Sequence, residues 1–234
     1  MRVYLINLAE ATERLAAQKA QFGRLGMEFE RFEACRDDER CLDRFRWWCA
    51  VLRPRVKGEI GCARSHVGVY GKLLASGDAC AAVFEDDVVL SDATVNALAL
   101  AEQKCREDPK AVVLLGDHRK GKRGEDVADG NADLRIEPER WNTCAEGYVI
   151  GREAAAALVE AQRKIRVPAD AWPYFRRKGY VRLSRVTPPV CRQDLDRFES
   201  SLGKRYVVAD HGLVAWIWWK ARRCVGEMIE RVRR

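Results

Sequence analysis

Glu85, Asp86 and Asp87 stand in a row between two apolar runs, residues 81–84 and 88–90. An unpaired charge removed from water is expensive, so a buried strand does not carry three adjacent acids without compensation. The pattern reads as a strand arriving from the core, acids where it ends at the rim of a sheet, and a second apolar segment leaving. Crowded carboxylates raise one another's pKa unless a metal or a basic group relieves them. A divalent cation that also grips a diphosphate fits this row, with Glu85 and Asp87 in the acid-x-acid spacing of hard-metal oxygen sites. The alternative is an exposed turn of acids that caps a helix or pairs with surface arginines.

Four further residues could contribute chemistry. Asp117 and His118 follow the apolar run 111–116, where another strand should end, and His118 is the first candidate for a third metal ligand. A turn Asp beside a surface His is the competing reading. Asp170 precedes the aromatic stretch 172–175, and an N-cap role there is its simplest explanation. His66 shares one helical face with Cys62, Val69, Tyr70 and Leu73, a position where a histidine is more often a core residue than a catalyst.

These residues need a scaffold, and the chain supplies α/β signals from its start. Residues 3–8 read as a strand. Residues 11–25 read as a helix with Thr12 as N-cap, Leu15, Phe22 and Leu25 on one face, and Gly26 at C′. The alternation in residues 28–32 predicts a second strand. Residues 35–58 are charged, carry Trp47, Trp48 and Pro54, and show no sustained period, as a long excursion would. A glycine-rich helix is expected over 58–74, packed closely against another backbone. Helices over 92–106 and 152–164 bracket the strand at 111–116, a Gly-, Lys- and Asp-rich loop at 119–133 and the apolar run 147–150. A last strand-like piece occupies residues 180–190.

Composition sets the outer bounds. With 234 residues the chain can bury a substantial core, and no run nears the roughly 18–20 apolar residues that span a bilayer. The first residues enter a strand-like segment without a signal-peptide pattern, so a cytosolic setting is expected. Nine scattered cysteines with no Cys-x-x-Cys pair predict reduced thiols rather than a disulfide framework or a zinc site. A net charge of +7 favours an anionic partner. Much of it lies in the tail, where Trp216, Trp218 and Trp219 precede six basic residues opposed only by Glu227 and Glu230. Residues 213–234 therefore read as an interfacial helix on anionic lipid, with packing onto the core as the alternative.

Tyr4-Leu5-Ile6-Asn7-Leu8 with Arg14, then Gly58-Glu59-Ile60-Gly61-Cys62-x-x-Ser65-His66, then Val83-Phe84-Glu85-Asp86-Asp87-Val88 resemble glycosyltransferase family 25 in order and spacing. Weaker echoes continue to about residue 201, and the Gly-Glu-Ile-Gly-Cys-x-x-Ser-His block is the specific part. The chain departs from the family pattern at Ala9-Glu10 and at Cys35-Arg36-Asp37. The resemblance implies a GT-A-like fold, a Rossmann-type mixed sheet flanked by helices. One domain over residues 1–205 would be followed by a helical tail over 206–234.

It also implies a transfer of hexose, with galactose the usual choice, from a UDP-sugar to a glycan such as lipopolysaccharide core. Mn²⁺ or Mg²⁺ would be the cofactor. Asp87 would be the direct metal ligand, Glu85 a ligand or a contact to ribose or metal-bound water, and Asp86 the residue that orients the loop. Asn7, Leu8, Arg14, Ser65 and His66 would lie with the nucleotide. An inverting transfer needs a carboxylate base near the acceptor, for which Asp170 is the first choice and Glu146 the second. The expected setting is the cytoplasm or the cytoplasmic face of the inner membrane, with no nucleic-acid partner. The competing functions are a non-catalytic or differently specific family member that binds glycan or nucleotide sugar, and a basic anion-binding module.

Overall fold

The computed structural model describes residues 1–36, 57–117, 127–165 and 167–194. Most of the 35–58 excursion, His118, the first part of the 119–133 loop, Glu199-Ser200-Ser201 and the basic tail lie outside the described residues.

The elements run β1 (Arg2–Asn7), α1 (Thr12–Arg24), β2 (Glu30–Glu33), α2 (Lys57–Ser76), β3 (Cys80–Glu85), β4 (Val88–Leu90) and α3 (Thr94–Glu107). They continue with β5 (Ala111–Leu114), β6 (Arg135–Pro138), β7 (Gly147–Gly151), α4 (Arg152–Ala161), α5 (Trp172–Arg177), β8 (Arg182–Thr187) and β9 (Cys191–Gln193). Seven strands form one sheet in the order β2-β1-β3-β7-β5-β8-β6, and β4 pairs with β9 in a separate ribbon. β1 is parallel to β2 and β3, and β5 to β8, whereas β7 and β6 run antiparallel to their neighbours. The result is the expected mixed α/β sheet flanked by helices. Its strand ends place Asn7, Glu85 and the start of β7 on one rim.

Period-two alternation divides the core between the two faces of this sheet. Leu5, Ala82 and Phe84 face Phe22 of α1 and Ala97 and Ala101 of α3. Tyr4, Ile6 and Val83 face Val69 and Leu73 of α2, Leu158 of α4 and Trp172 of α5. The central residues 81–84 are fully buried, so nothing polar is tolerated in β3 until Glu85. Among the described residues no helix is long and apolar enough to cross a membrane. The six described cysteines are free thiols.

Several local expectations are adjusted. The N-cap of α1 is Ala11 rather than Thr12, and no side chain caps the helix. Gly26 does end it with a φ of +64°, in the left-handed region that glycine adopts without penalty. In α2 the close neighbour is a side chain rather than another backbone: the Phe32 ring fills the space a Cβ on Gly68 would need, whereas Gly71 faces open space. The piece expected over 180–190 is β8, which ends before Pro188-Pro189, and the short β9 that follows it lay outside that expectation. β6 escaped the sequence reading because Arg135-Ile136-Glu137-Pro138 has one apolar residue and a proline, a composition confined to sheet edges. It sits on the edge of the sheet.

Candidate active site

The acidic row is the connection between β3 and β4, and its three members have three different surroundings. Asp86 is held on every side. Asn7 Nδ2 at the end of β1 donates to one of its carboxylate oxygens at 2.7 Å, and Arg14 Nη1 donates to the other at 2.9 Å. Gln18 Nε2 donates to the Asp86 and Val88 carbonyls at 3.1 and 2.9 Å, and Gln21 bridges the Val88 carbonyl and the Leu90 amide. Arg14, Gln18 and Gln21 are spaced i, i+4, i+7, so one face of α1 fastens the whole connection. Asn7 and Arg14, expected beside a nucleotide, both donate to the Asp86 carboxylate.

Asp87 is also buried, but only partly satisfied. One carboxylate oxygen accepts from Gln193 Nε2 at 2.7 Å, and its backbone carbonyl accepts from Asp194 at 2.7 Å. The other carboxylate oxygen is buried with no hydrogen-bond partner among the described residues. Burial first, and then the neighbouring Glu85, push the Asp87 carboxyl up to about 7. A buried carboxylate oxygen without a donor is where a hard cation fits, and the residues present suit one. Gln193 reaches Asp87 because β9 pairs with β4, Val88 opposite Gln193. No spacing in the sequence joins positions more than 100 residues apart.

Glu85 faces α2. His66 Nε2 lies 3.1 Å from a Glu85 oxygen, and Cys62 Sγ lies 3.7 Å from the same oxygen. On the other side of the ring, Nδ1 is 2.6 Å from the Tyr148 hydroxyl, which is 2.8 Å from that of Tyr70. An ionised Glu85 accepts, which places the ring proton on Nε2 and makes Nδ1 the acceptor from Tyr148. His66 is thus on the buried face, as its spacing implies, yet it braces an acid of the row. Ser65 is buried behind it, accepting from the Cys35 amide and donating to the Gly61 carbonyl, both at 2.8 Å. It ties α2 to the segment after β2. Leu8, at the end of β1, accepts the Ala11 amide through its carbonyl at 3.0 Å.

The candidate bases lie at the same rim. Burial is the main reason the Cys62 thiol is raised well above its usual value, and the charges of Glu85, Asp170 and Asp87 raise it further. Asp170 is half-buried and does not act as the N-cap of α5; that position is Ala171, without a side-chain cap. Glu146 joins the row through its backbone, its carbonyl accepting the Glu85 amide at 3.0 Å. Its side chain is 2% exposed and occupies the space a Cβ on Gly116 would take. Asp117 is not offered to a ligand: Arg185 Nη1 holds it at 3.1 Å.

A family model described as glycosyltransferase family 25 (LPS biosynthesis protein) matches residues 1–172, which include every candidate named here except Arg185, Gln193 of β9 and the adjoining Asp194. The chain is 30% identical over 217 residues to the lacto-N-neotetraose biosynthesis glycosyltransferase LgtE of Neisseria meningitidis serogroup B, covering 83% of this chain and 75% of that protein. It is 29% identical over 213 residues to LgtB of the same organism, covering 83% and 76%. A glycosyltransferase 25 family member of Anopheles gambiae is 26% identical over 187 residues, which is 68% of this chain and 28% of that longer protein.

Proposed function

The chain belongs to glycosyltransferase family 25, and from that premise we propose that it moves a hexose, galactose first, from a UDP-sugar to a lipopolysaccharide-type glycan with inversion at the anomeric carbon. The observation that carries this reading is the second Asp87 oxygen, buried, without a donor, and set beside Glu85 at the rim where open α/β sheets bind ligands. Asp87 would hold Mn²⁺ or Mg²⁺ through that oxygen. Such a cation stabilises the negative charge that develops on the departing nucleotide diphosphate.

The remaining roles fall to the chain itself. Asp86, fixed by Asn7 and Arg14, sets the course of the backbone that presents its two neighbours. Glu85, with a quarter of its side chain exposed, faces the donor ribose or a metal-bound water. Asp170 takes the proton of the acceptor hydroxyl as that oxygen attacks. It is preferred to Glu146 because a base must be reached by the acceptor, and Glu146 is sealed over Gly116. Basic residues and tryptophans in 213–234 would hold the enzyme on anionic lipid of the cytoplasmic face, a contact checked by liposome sedimentation with and without that segment.

The test is a panel of UDP-sugars assayed for Mn²⁺-dependent transfer, comparing Asp170→Asn with Glu146→Gln. Asp170→Asn should lower kcat by about 10²–10⁴-fold while UDP-sugar still binds. Full activity of Asp170→Asn with loss in Glu146→Gln would exchange the two roles. Absence of transfer from every UDP-sugar, with nucleotide binding retained, would favour a binding subunit.

A further inference from the structure

We propose that Cys62, His66 and Glu85 form a second cation site, selective for a thiophilic ion such as Zn²⁺ and separate from the hard-cation position on Asp87. One ligand atom from each of these residues lies within 4.8 Å of the others. Cys62 and His66 are four residues apart on α2 and therefore project from the same helical face, and Glu85 meets them from the end of β3. Sγ and Oε1 are 3.7 Å apart, and Nε2 and Oε1 are 3.1 Å apart. A tetrahedral zinc with bonds of about 2.3 Å to sulfur and about 2.0 Å to nitrogen and oxygen needs edges of about 3.5 and 3.3 Å. The two edges at Glu85 need change by only a few tenths of an ångström, and the third, Sγ to Nε2, lies within 4.8 Å and closes to about 3.5 Å by side-chain rotation.

The surroundings fit this ion in charge and in orientation. On binding, the Cys62 thiol gives its proton to solvent, and one thiolate and one carboxylate then balance the two positive charges. Nε2 must offer its lone pair, so the ring proton passes to Nδ1, where the Tyr148 hydroxyl can accept it at 2.6 Å and donate onward to Tyr70. A partner for the far nitrogen is the feature that orients metal-binding histidines. Soft sulfur and imidazole select zinc, cobalt or copper over manganese and magnesium, whereas Asp87 offers only oxygen. Access comes from the half-buried Cys62 and Glu85, since His66 is 1% exposed. Binding itself does not depend on the transferase reading. Its consequence does: an occupied site withdraws Glu85 from the donor, so zinc should inhibit.

The test titrates Co²⁺ into the whole protein and follows the thiolate-to-cobalt charge-transfer band in the near ultraviolet. The expected result is one equivalent of cobalt with that band, displaced by stoichiometric Zn²⁺, lost in Cys62→Ser and kept in Cys35→Ser. Cys62→Ala provides the same comparison should the serine variant fail to fold, with near-ultraviolet circular dichroism as the check on folding. Cobalt bound without a charge-transfer band, or a band that survives both Cys62 variants, overturns the proposal. Zinc inhibition is read separately, as the ratio of each variant's rate with and without micromolar Zn²⁺. A band without inhibition keeps the site and removes the role of Glu85 at the donor.

Discussion

Two acidic clusters in this sheet have the same formal composition, three carboxylates and one arginine, and opposite characters. On the outer side, Arg185 of β8 meets Asp117 at 3.1 Å, Glu137 at 2.9 Å and Glu139 at 3.2 Å. Glu139 also accepts the backbone amides of Arg140, Trp141 and Asn142, and Glu137 accepts the Thr187 hydroxyl. At the end of β3, Arg14 pairs with Asp86. Glu85 meets an imidazole and a thiol, and Asp87 a single side-chain amide. Counting charges cannot tell a structural cluster from a binding one; counting the donors aimed at each oxygen does. Arg185 lies within 3.2 Å of all three carboxylates of the first cluster, though its Nε makes no hydrogen bond among the described residues, whereas the second leaves one buried Asp87 oxygen without a donor.

Among changes to these two clusters the largest effect should come from Asp87→Asn. It keeps the shape and the Gln193 contact while removing the charge, so Mn²⁺-dependent transfer should fall by about 10³-fold, read by a coupled nucleotide-release assay. The metal-free fold should lose nothing, because ionising Asp87 opposes folding. The sign follows from its raised pKa. Between the ordinary value of 3.8 and about 7 the folded state holds a proton the unfolded state has released, so this group's contribution to stability falls as pH rises through that window. Urea titrations at pH 4.5 and 7.5 without metal should show that loss in the parent and a smaller one in Asp87→Asn. Equal slopes would mean that Asp87 is already compensated and would erase the contrast with the Arg185 cluster.

Arg185→Met is the converse experiment. Removing the guanidinium leaves Asp117 and Glu139, whose side chains are each 6% exposed, without their cation. Stability should fall by about 3 kcal/mol in chemical denaturation, with no recovery on adding Mn²⁺. Recovery by a divalent cation would show that this cluster also binds metal.

How much of this was legible beforehand depends on whether a relation is local. The acids at a strand end, the buried face of α2 with His66 on it, and the Gly26 stop follow from spacing within one element. The fastening of the acidic row was not read from the sequence, although positions 14, 18 and 21 share one face of α1. Nor were the roles of Gln193 and Tyr148, because each meets its partner only through strand pairing or sheet packing. The difference between Asp86 and Asp87 came only from the family resemblance, not from the residues themselves. They are neighbours of one chemical type, and only the fold decides which receives Asn7 and Arg14. Asp170 reads as a cap in sequence because Asp before an aromatic stretch commonly is one, but the helix starts one residue later, after Ala171.

The smallest effect tests the one side-chain donor that Asp87 has. Gln193→Met removes the 2.7 Å hydrogen bond from β9 while keeping chain length and apolar contact. That bond favours the ionised carboxylate, so without it the Asp87 proton is held more tightly and the oxygen is less fixed in direction. Mn²⁺ affinity at pH 7 should fall about tenfold, measured by calorimetry or by the free-Mn²⁺ resonance signal, and part of the loss should return at pH 8. A loss that does not change with pH would assign Gln193 to orientation alone. Unchanged affinity at both pH values would mean that Asp87 is not the ligand, and the second cluster would then need another explanation for its unfinished oxygen.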